Sequence, residues 1–513
     1  MGTAFLKTRG GQKKIFAAPR RPFGEPILKK AAFVILLAAL APAGAFSAQL
    51  PAELAAAAAE LGVNPHAVAF SVVDLSGARA SGGGAPQGVR TIAAWRDAES
   101  ISPASTAKLV TTLSALELLG PDYRWRTRFL APSAPSAKGE VSALYLAGGG
   151  DPAFDANALR EEARRLRRLG VKKIAGDLIV DRSAFNPAPG DPGDFDGRPD
   201  RPYNQLPDAA LVNARSLIFD IVPDPASGRA RVFYEPELEG VSVQAAVPLA
   251  KGACGDWREA LAWGISEGRN RTVRFGGALA GSCGEKVLSV VPMAADEYLG
   301  RLFARIWREE GGEWTGRARE GRVPEGAVLL SEHRSIPLSE AIVRINKWSN
   351  NQMARHVFLT VGSLADGKNR DGVPQGAGER DARARIAAWL SQKGVDAGSV
   401  SLENGSGLSR RTRVTARAMT QLLAAGWTSP YMPEFAASLP IAGVDGTMRR
   451  RKSSEGKAHI KTGYLADARA AGGYIEAESG RRYAIFACVE GEENGPGATR
   501  FIDRLIAWAR KQP

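Results

Sequence analysis

The feature that most constrains this fold is a change of texture along the chain. Residues 103–120, PASTAKLVTTLSALELLG, carry Leu109, Leu113, Leu116 and Leu119 at helical spacing, so an amphipathic helix is expected there. From about Tyr123 that period gives way to short alternating segments such as VSALYLAG, KIAGDLIVD, SLIFDIV, RARVFYEPEL and VSVQAAV, broken by Gly, Pro and Asp. That pattern reads as many strands and turns. After about Val328 helical spacing returns at 337–362, 379–394, 415–426 and 431–439. Three strands, AHIKTGYL, RAAGGYIEAES and RRYAIFACVE, and a helix over 498–511 close the chain. The expected fold is α+β and multi-domain, with helices on an antiparallel sheet. Its main domain is discontinuous, 49–125 and 326–513, and is split by a strand-rich insertion, 126–325. The Pro/Gly/Asp-rich stretch 187–202 reads as a surface loop.

The first 48 residues stand apart. A basic stretch, Lys7–Lys30, precedes the apolar run AAFVILLAAL and a small-x-small site, Ala43-Gly44-Ala45. That order reads as a secretory signal peptide with a basic extension, too short to span a bilayer. Export to the periplasm or extracytoplasmic cell envelope is expected, with no membrane anchor once the signal is removed. Residues 1–48 hold eight Lys/Arg against one Glu, so they account for +7 of the formal net charge of +14. The remaining excess is spread out and suits an anionic envelope polymer. No Lys/Arg block has interleaved aromatics, which argues against nucleic acid. Of three cysteines, Cys254 and Cys283 can close a disulfide in an oxidising compartment, and Cys488 reads as a buried strand thiol.

Three short motifs carry chemistry. Ser105 and Lys108 stand one helical turn apart, so the amine can reach the hydroxyl. A hydroxyl becomes a nucleophile when a base takes its proton, and a lysine serves as base only if burial or a nearby cation lowers its pKa. The same spacing recurs at Ser454 and Lys457 in a polar loop, so the pair alone also fits an ordinary capped helix. Ser349 and Asn351 form Ser-x-Asn, a proton relay and an amide that can hold a substrate carbonyl, or else a helix cap. Lys461, Thr462 and Gly463 open a strand. Lys461 supplies a second cation, Gly463 permits close backbone approach, and the N–H of Tyr464 can join that of Ser105 in an oxyanion hole.

Ser-x-x-Lys, Ser-x-Asn and Lys-Thr-Gly in that order form the constellation of penicillin-binding proteins and serine β-lactamases. The gaps of 244 and 112 residues between the three motifs narrow the resemblance. The chain resembles the D-alanyl-D-alanine carboxypeptidase/endopeptidase family, the class C low-molecular-mass penicillin-binding proteins. PASTAKL, GGGDPAF (148–154), DRSAFN (181–186), INKWSNNQMA (345–354), NGSGLSR (404–410), DGTM (445–448) and IKTGYL (460–465) carry it. The resemblance implies a penicillin-binding-protein/serine β-lactamase-like domain split by a second domain that itself carries a third, with the Cys254–Cys283 loop inside the insertion. It implies a cofactor-free acyl transfer on peptidoglycan stem peptides, blocked by β-lactams. Ser105 would be the nucleophile, Lys108 the base, Ser349 the relay and Asn351 the peptide clamp. Lys461 and Thr462 would anchor a carboxylate. Arg410, Asp181 and Phe185 match family segments near the cleft. Two departures stand out: Tyr464 replaces a small hydroxyl residue, which would narrow the cleft, and Asn404 replaces an aspartate.

Other readings are weaker. His66, His333, His356 and His459 are scattered, with no zinc-binding spacing, so no metal is expected; His459 shares a strand face with Lys461. GGGD at 148–151 is a turn without the lysine of a phosphate loop. A non-catalytic peptidoglycan-binding protein would not need both lysines, and a β-lactamase would lack the large insertion. Labelled penicillin separates the three: stable adduct, no reaction or fast turnover. Oligomeric state has no signature in the sequence.

Overall fold

The computed structural model describes residues 49–364, 369–370, 373–491 and 495–513. The expected leader, 1–48, lies outside them. Helix α1 (Ala52–Leu61) and strands β1 (Val68–Asp74) and β2 (Arg90–Trp95) lead to a 3-10 turn, Ala104–Ala107, that runs into α2 (Lys108–Leu119). Then follow β3 (Arg126–Ala131), β4 (Leu144–Ala147), α3 (Ala156–Arg168) and β5 (Leu178–Asp181). Next come β6 (Leu217–Asp224), β7 (Arg229–Glu235), β8 (Ala246–Ala250), β9 (Leu279–Ala280), β10 (Lys286–Val290), α4 (Ala295–Glu309), β11 (Ala318–Glu320) and β12 (Val328–Arg334). Helices return as α5 (Leu338–Trp348), α6 (Asn351–Gly362), α7 (Glu379–Gln392), α8 (Ala416–Trp427) and α9 (Met432–Ser438). The chain closes on β13 (Ala458–Leu465), β14 (Ala468–Glu476), β15 (Arg482–Glu490) and α10 (Gly495–Arg510).

One antiparallel sheet, β2-β1-β15-β14-β13, joins the two ends of the chain and leaves β13 at its edge. Alternation along β15 explains why the strand is apolar throughout. Ala484, Phe486 and Cys488 face the cluster of α2 and α5 to α9, while Tyr483, Ile485, Ala487 and Val489 face α1 and α10. Each large side chain so buried contributes about 2 kcal/mol. Helix α2 sits inside this stack, packed on α5 and α6, and is buried from Lys108 to Leu116. It is therefore central and not amphipathic. Its polar residues are satisfied internally: the hydroxyls of Thr111, Thr112 and Ser114 donate to the carbonyls of Gly405, Lys108 and Thr111.

A separate core spans Phe129 to Trp307. It joins two five-stranded sheets, β11-β5-β4-β3-β12 and β9-β8-β7-β6-β10. Antiparallel pairing of β3 with β12, from Val328 against Ala131 to Arg334 against Arg126, zips the entry and exit of this region together. A disulfide links Cys254 and Cys283, and Cys488 is a buried free thiol. The region read as strands and turns also holds α3 and α4. In α3 the apolar stripe is only Leu159, Ala163 and Leu166 among many charges, which hid its period.

The helix expected over 337–362 is two helices. Ser349 adopts a left-handed conformation, φ 57°, that ends α5, and the Asn350 side chain accepts from Met353 N at 3.0 Å to cap α6. No helix among the described residues is long and apolar enough to cross a membrane, and no metal-holding cluster occurs among them.

Candidate active site

Four elements bring the three motifs together. The 3-10 turn carries Ser105, the first turn of α2 carries Lys108, the α5–α6 break carries Ser349 and Asn351, and edge strand β13 carries Lys461. Two of these positions are strained: Ala104, beside Ser105, has φ 45° and Ser349 has φ 57°. Non-glycine residues hold such angles only where the surroundings over-determine them. At Ala104, Gly463 and Gly407 supply that constraint. A Cβ on Gly463 would lie 2.7 Å from Pro103 O and 3.2 Å from Ser105 N. A Cβ on Gly407 would lie 1.8 Å from Ala104 O. Gly463 is thus required for contact with the Ser105 turn itself.

Both lysines are fully buried. Lys108 Nζ lies 2.9 Å from Ser105 Oγ, 2.7 Å from Asn351 Oδ1 and 2.5 Å from Ser406 O. Lys461 Nζ lies 3.0 Å from Ser349 Oγ and 2.6 Å from Thr462 O. Burial, then the charges of Lys461 and Arg355, hold the Lys108 pKa well below the usual lysine range. Burial lowers that of Lys461 to about 7. A neutral Lys108 amine fits its surroundings. It has two N–H groups for two carbonyl-type acceptors, and its lone pair can accept the Ser105 hydroxyl proton.

The remaining expected residues divide. The Thr462 hydroxyl donates to Thr447 Oγ1 at 2.7 Å at the mouth of the site. Tyr464 is 71% exposed on the strand face opposite Lys461, with the Arg469 guanidinium over its ring at 3.6 Å. Its side chain therefore stacks outward, not across the Lys461 face. Arg410 pairs with Asp467 at 2.8 Å and lies over the Phe195 ring. The expectation that Asp181 and Phe185 face the cleft needs correction. The Asp181 carboxylate accepts from Ser183 N and Val323 N, each at 2.9 Å, and Phe185 is buried with Ala184, Ala209, Leu359 and Ala377 against His356. His459 does share the Lys461 face, but its Nδ1 lies 3.2 Å from Ala436 O. Asn404 folds the turn that aims Ser406 O at Lys108: its Oδ1 accepts from Ser406 N and Oγ, and its Nδ2 donates to Leu408 O.

Sequence reasoning missed several groups. Arg355 lies one turn beyond Asn351 on α6, is 8% exposed, donates to Gln205 O at 3.1 Å and keeps Nε without a partner. Spacing of i+4 from Asn351 was the signal for it. Ser406 acts through a backbone carbonyl and left none. The 187–202 stretch is more than a surface loop, since Phe195 packs against Ala104, Leu465 and Ala468 beside Ser105.

The multi-domain fold is shared with penicillin binding protein 4 (dacB) from Haemophilus influenzae. Its crystal structure matches with a TM-score of 0.70 at 21% identity, covering 90% of this chain and 99% of that one. A second structure of that protein, complexed with a novel β-lactam, matches with a TM-score of 0.66 at 22% identity, covering 90% of this chain and all of that one. Residues 87–512 match the D-Ala-D-Ala carboxypeptidase 3 (S13) family, and the chain belongs to it. Among relatives, a D-alanyl-D-alanine carboxypeptidase of Actinomadura sp. is 32% identical over 79% of this chain and 76% of its own length. The D-alanyl-D-alanine carboxypeptidase DacB of H. influenzae is 24% identical over 76% and 81%.

Proposed function

We propose that this protein is a serine-type D-Ala-D-Ala carboxypeptidase that acts on peptidoglycan stem peptides and is acylated by β-lactams. Ser105 Oγ attacks the carbonyl between two D-alanines while Lys108 Nζ takes the hydroxyl proton. The N–H groups of Ser105 and Tyr464 stabilise the oxyanion. Ser349 passes a proton to the leaving amine, D-alanine departs, and water hydrolyses the Ser105 ester. Asn351 holds the donor peptide, and Lys461 with Thr462 holds the terminal carboxylate of the leaving residue. No metal or cofactor enters these steps. The observation that carries the reading is the buried Lys108 amine, 2.9 Å from Ser105 Oγ, with two carbonyl acceptors taking its N–H groups. Family membership and the β-lactam held by the H. influenzae relative support it.

The reading extends to place and architecture. The N-terminal leader directs export to the periplasm, and residues 126–325 form an insertion in a discontinuous catalytic domain; the separate core and the β3–β12 zipper support the latter. Intact mass after incubation with penicillin tests the chemistry. The expected result is one covalent adduct on the wild type and none on Ser105→Ala. An unmodified wild-type mass without penicillin consumption fits only a binding protein, and rapid penicillin turnover only a β-lactamase.

A further inference from the structure

The DGTM segment, 445–448, takes no part in the acyl-transfer steps, yet it touches the carboxylate anchor directly. Edge strand β13 is covered over its first half only. Ile441 bridges His459 in antiparallel fashion, Ile460 N donates to Pro440 O at 2.7 Å, and Ala442 N donates to Ala458 O at 2.9 Å. The chain then turns away at 444–447, so β13 has no outer strand partner from Lys461 onward among the described residues. Two ties hold that turn. The Lys347 ammonium, two residues before Ser349 in the last turn of α5, pairs with Asp445 and donates to Leu439 O at 3.0 Å. Asp445 Oδ1 also accepts from Ile441 N at 2.8 Å. Gly446, φ 52°, lies against α5: a Cβ there would be 2.6 Å from Lys347 O. The turn is thus fastened to the helix that leads into Ser349, and it brings Thr447 Oγ1 to 2.7 Å from Thr462 Oγ1. Thr447 is exposed, so its place owes little to core packing.

We propose that Thr447 is a positioning residue for the leaving-side carboxylate: its hydroxyl orients that of Thr462 and reinforces the hydrogen bond that Thr462 gives to the carboxylate. The inference rests on the acyl-transfer reading above. A threonine hydroxyl has one proton to donate and two lone pairs. As placed, Thr462 gives its proton to Thr447. A carboxylate only accepts, so it needs that proton for itself. One rotation of each hydroxyl meets the need. Thr462 Oγ1–H turns to the carboxylate, and Thr447 Oγ1–H turns to Thr462 Oγ1, so the 2.7 Å contact persists with its direction reversed. The result is a chain of two hydroxyls ending on an anion. Each bond in such a chain polarises the next, and the bond to the charged acceptor is the strongest. Thr447 acts through Thr462 and not on the reacting atoms. The tie from Lys347 to Asp445 fixes it to the same helix end that presents Ser349, so anchor and relay share one support.

The test uses the full chain and two peptides that differ only in the terminal carboxylate. One ends in D-Ala-D-Ala and is followed as a substrate. The other ends in D-alanyl ethylamide, which lacks the carboxylate, and is followed by its inhibition constant against the first, so it is read whether or not it is cut. Thr447→Val removes the hydroxyl and keeps the shape. It should raise KM for the D-Ala-D-Ala peptide about five-fold with kcat within about two-fold, the effect of weakening a contact that ground and transition states share. The ethylamide inhibition constant should stay within about two-fold. Thr447→Ser keeps a hydroxyl and should keep KM near the wild-type value. In a Thr462→Val background, Thr447→Val should add nothing further. An unchanged KM in Thr447→Val overturns the assignment. So does a Thr447→Ser as poor as Thr447→Val, or a parallel rise in the ethylamide constant, which would make the turn a mere support. Penicillin adducts measured on the same preparations separate the two ideas. No adduct and no D-alanine release with the wild type defeat the acyl-transfer reading itself, whereas an adduct with an unchanged KM in Thr447→Val defeats the role of Thr447 alone.

Discussion

At the scale of single residues, the question is which of two buried amines carries a proton. Lys108 contacts two carbonyl oxygens and Ser105 Oγ, whereas Lys461 faces Ser349 and the Thr462 carbonyl. Arginine stays protonated when buried, so Arg355 is a fixed positive charge near Lys108, and it disfavours a second one there. The proposed acyl transfer needs Lys108 neutral and Lys461 charged. The rate of penicillin acylation should therefore rise as Lys108 loses its proton and fall as Lys461 loses its own, near pH 7 for the free enzyme. A substrate carboxylate against Lys461 favours the ammonium form, so the falling limb of kcat should lie at higher pH than that of kcat/KM. Removing the fixed charge lets Lys108 keep its proton to higher pH. Arg355→Gln should shift the rising limb upward, and Arg355→Lys should leave it near the wild-type position. A stopped-flow pH series reads both, and an unmoved limb in Arg355→Gln would confine Arg355 to its packing role against Gln205.

At the scale of elements, catalytic geometry is held by turns, and glycine decides two of them. Gly407 has φ 78°, and its Cα faces the Ala104 carbonyl so closely that any side chain must push the Ser105 turn aside. Gly407→Ala should cost about 2–4 kcal/mol in urea unfolding and slow penicillin acylation about 100-fold, the effect of moving a reacting atom by about 1 Å. Gly62→Ala is the control: φ is 66° but the space around it is open, so about 1 kcal/mol is expected with acylation unchanged. These turns mark where the sequence stopped being legible. The strand AHIKTGYL was readable to the residue because its motif sits on a regular edge strand. The α5–α6 break was not, because Ser349 and Asn350 interrupt neither the apolar period nor the composition of a helix. Asp181 and Phe185 were misjudged because a motif match says nothing about which backbone amides a carboxylate will cap. Helix α3 was hidden by its charges, although α4 carried Tyr298, Leu302, Phe303 and Ile306 at a readable spacing.

At the scale of the whole molecule, residues 150 and 203–208 support the site through one face of α6. Asn351 Nδ2 donates to Tyr203 O at 3.5 Å, and Arg355 donates to Gln205 O. His356 is fully buried, and burial lowers its pKa, which keeps the ring neutral. Its Nδ1–H donates to Gly150 O, leaving Nε2 to accept from Asp208 N at 3.4 Å. These contacts come from residues 150 and 203–208. The Cys254–Cys283 bridge fastens a different part, at the outer edge of the second sheet beside β8 and β9. Losing the bridge should therefore loosen that edge without disturbing α6. Closing a loop of 29 residues is worth about 3.5 kcal/mol. Cys254→Ser/Cys283→Ser should lower the thermal midpoint and open 246–290 to limited proteolysis, with penicillin acylation at 25 °C within about two-fold of wild type. If acylation instead fell in step with the loss of protease resistance, the outer sheet would be holding Asn351 and Lys108 in place. The supports at 150 and 203–208 would then be insufficient on their own.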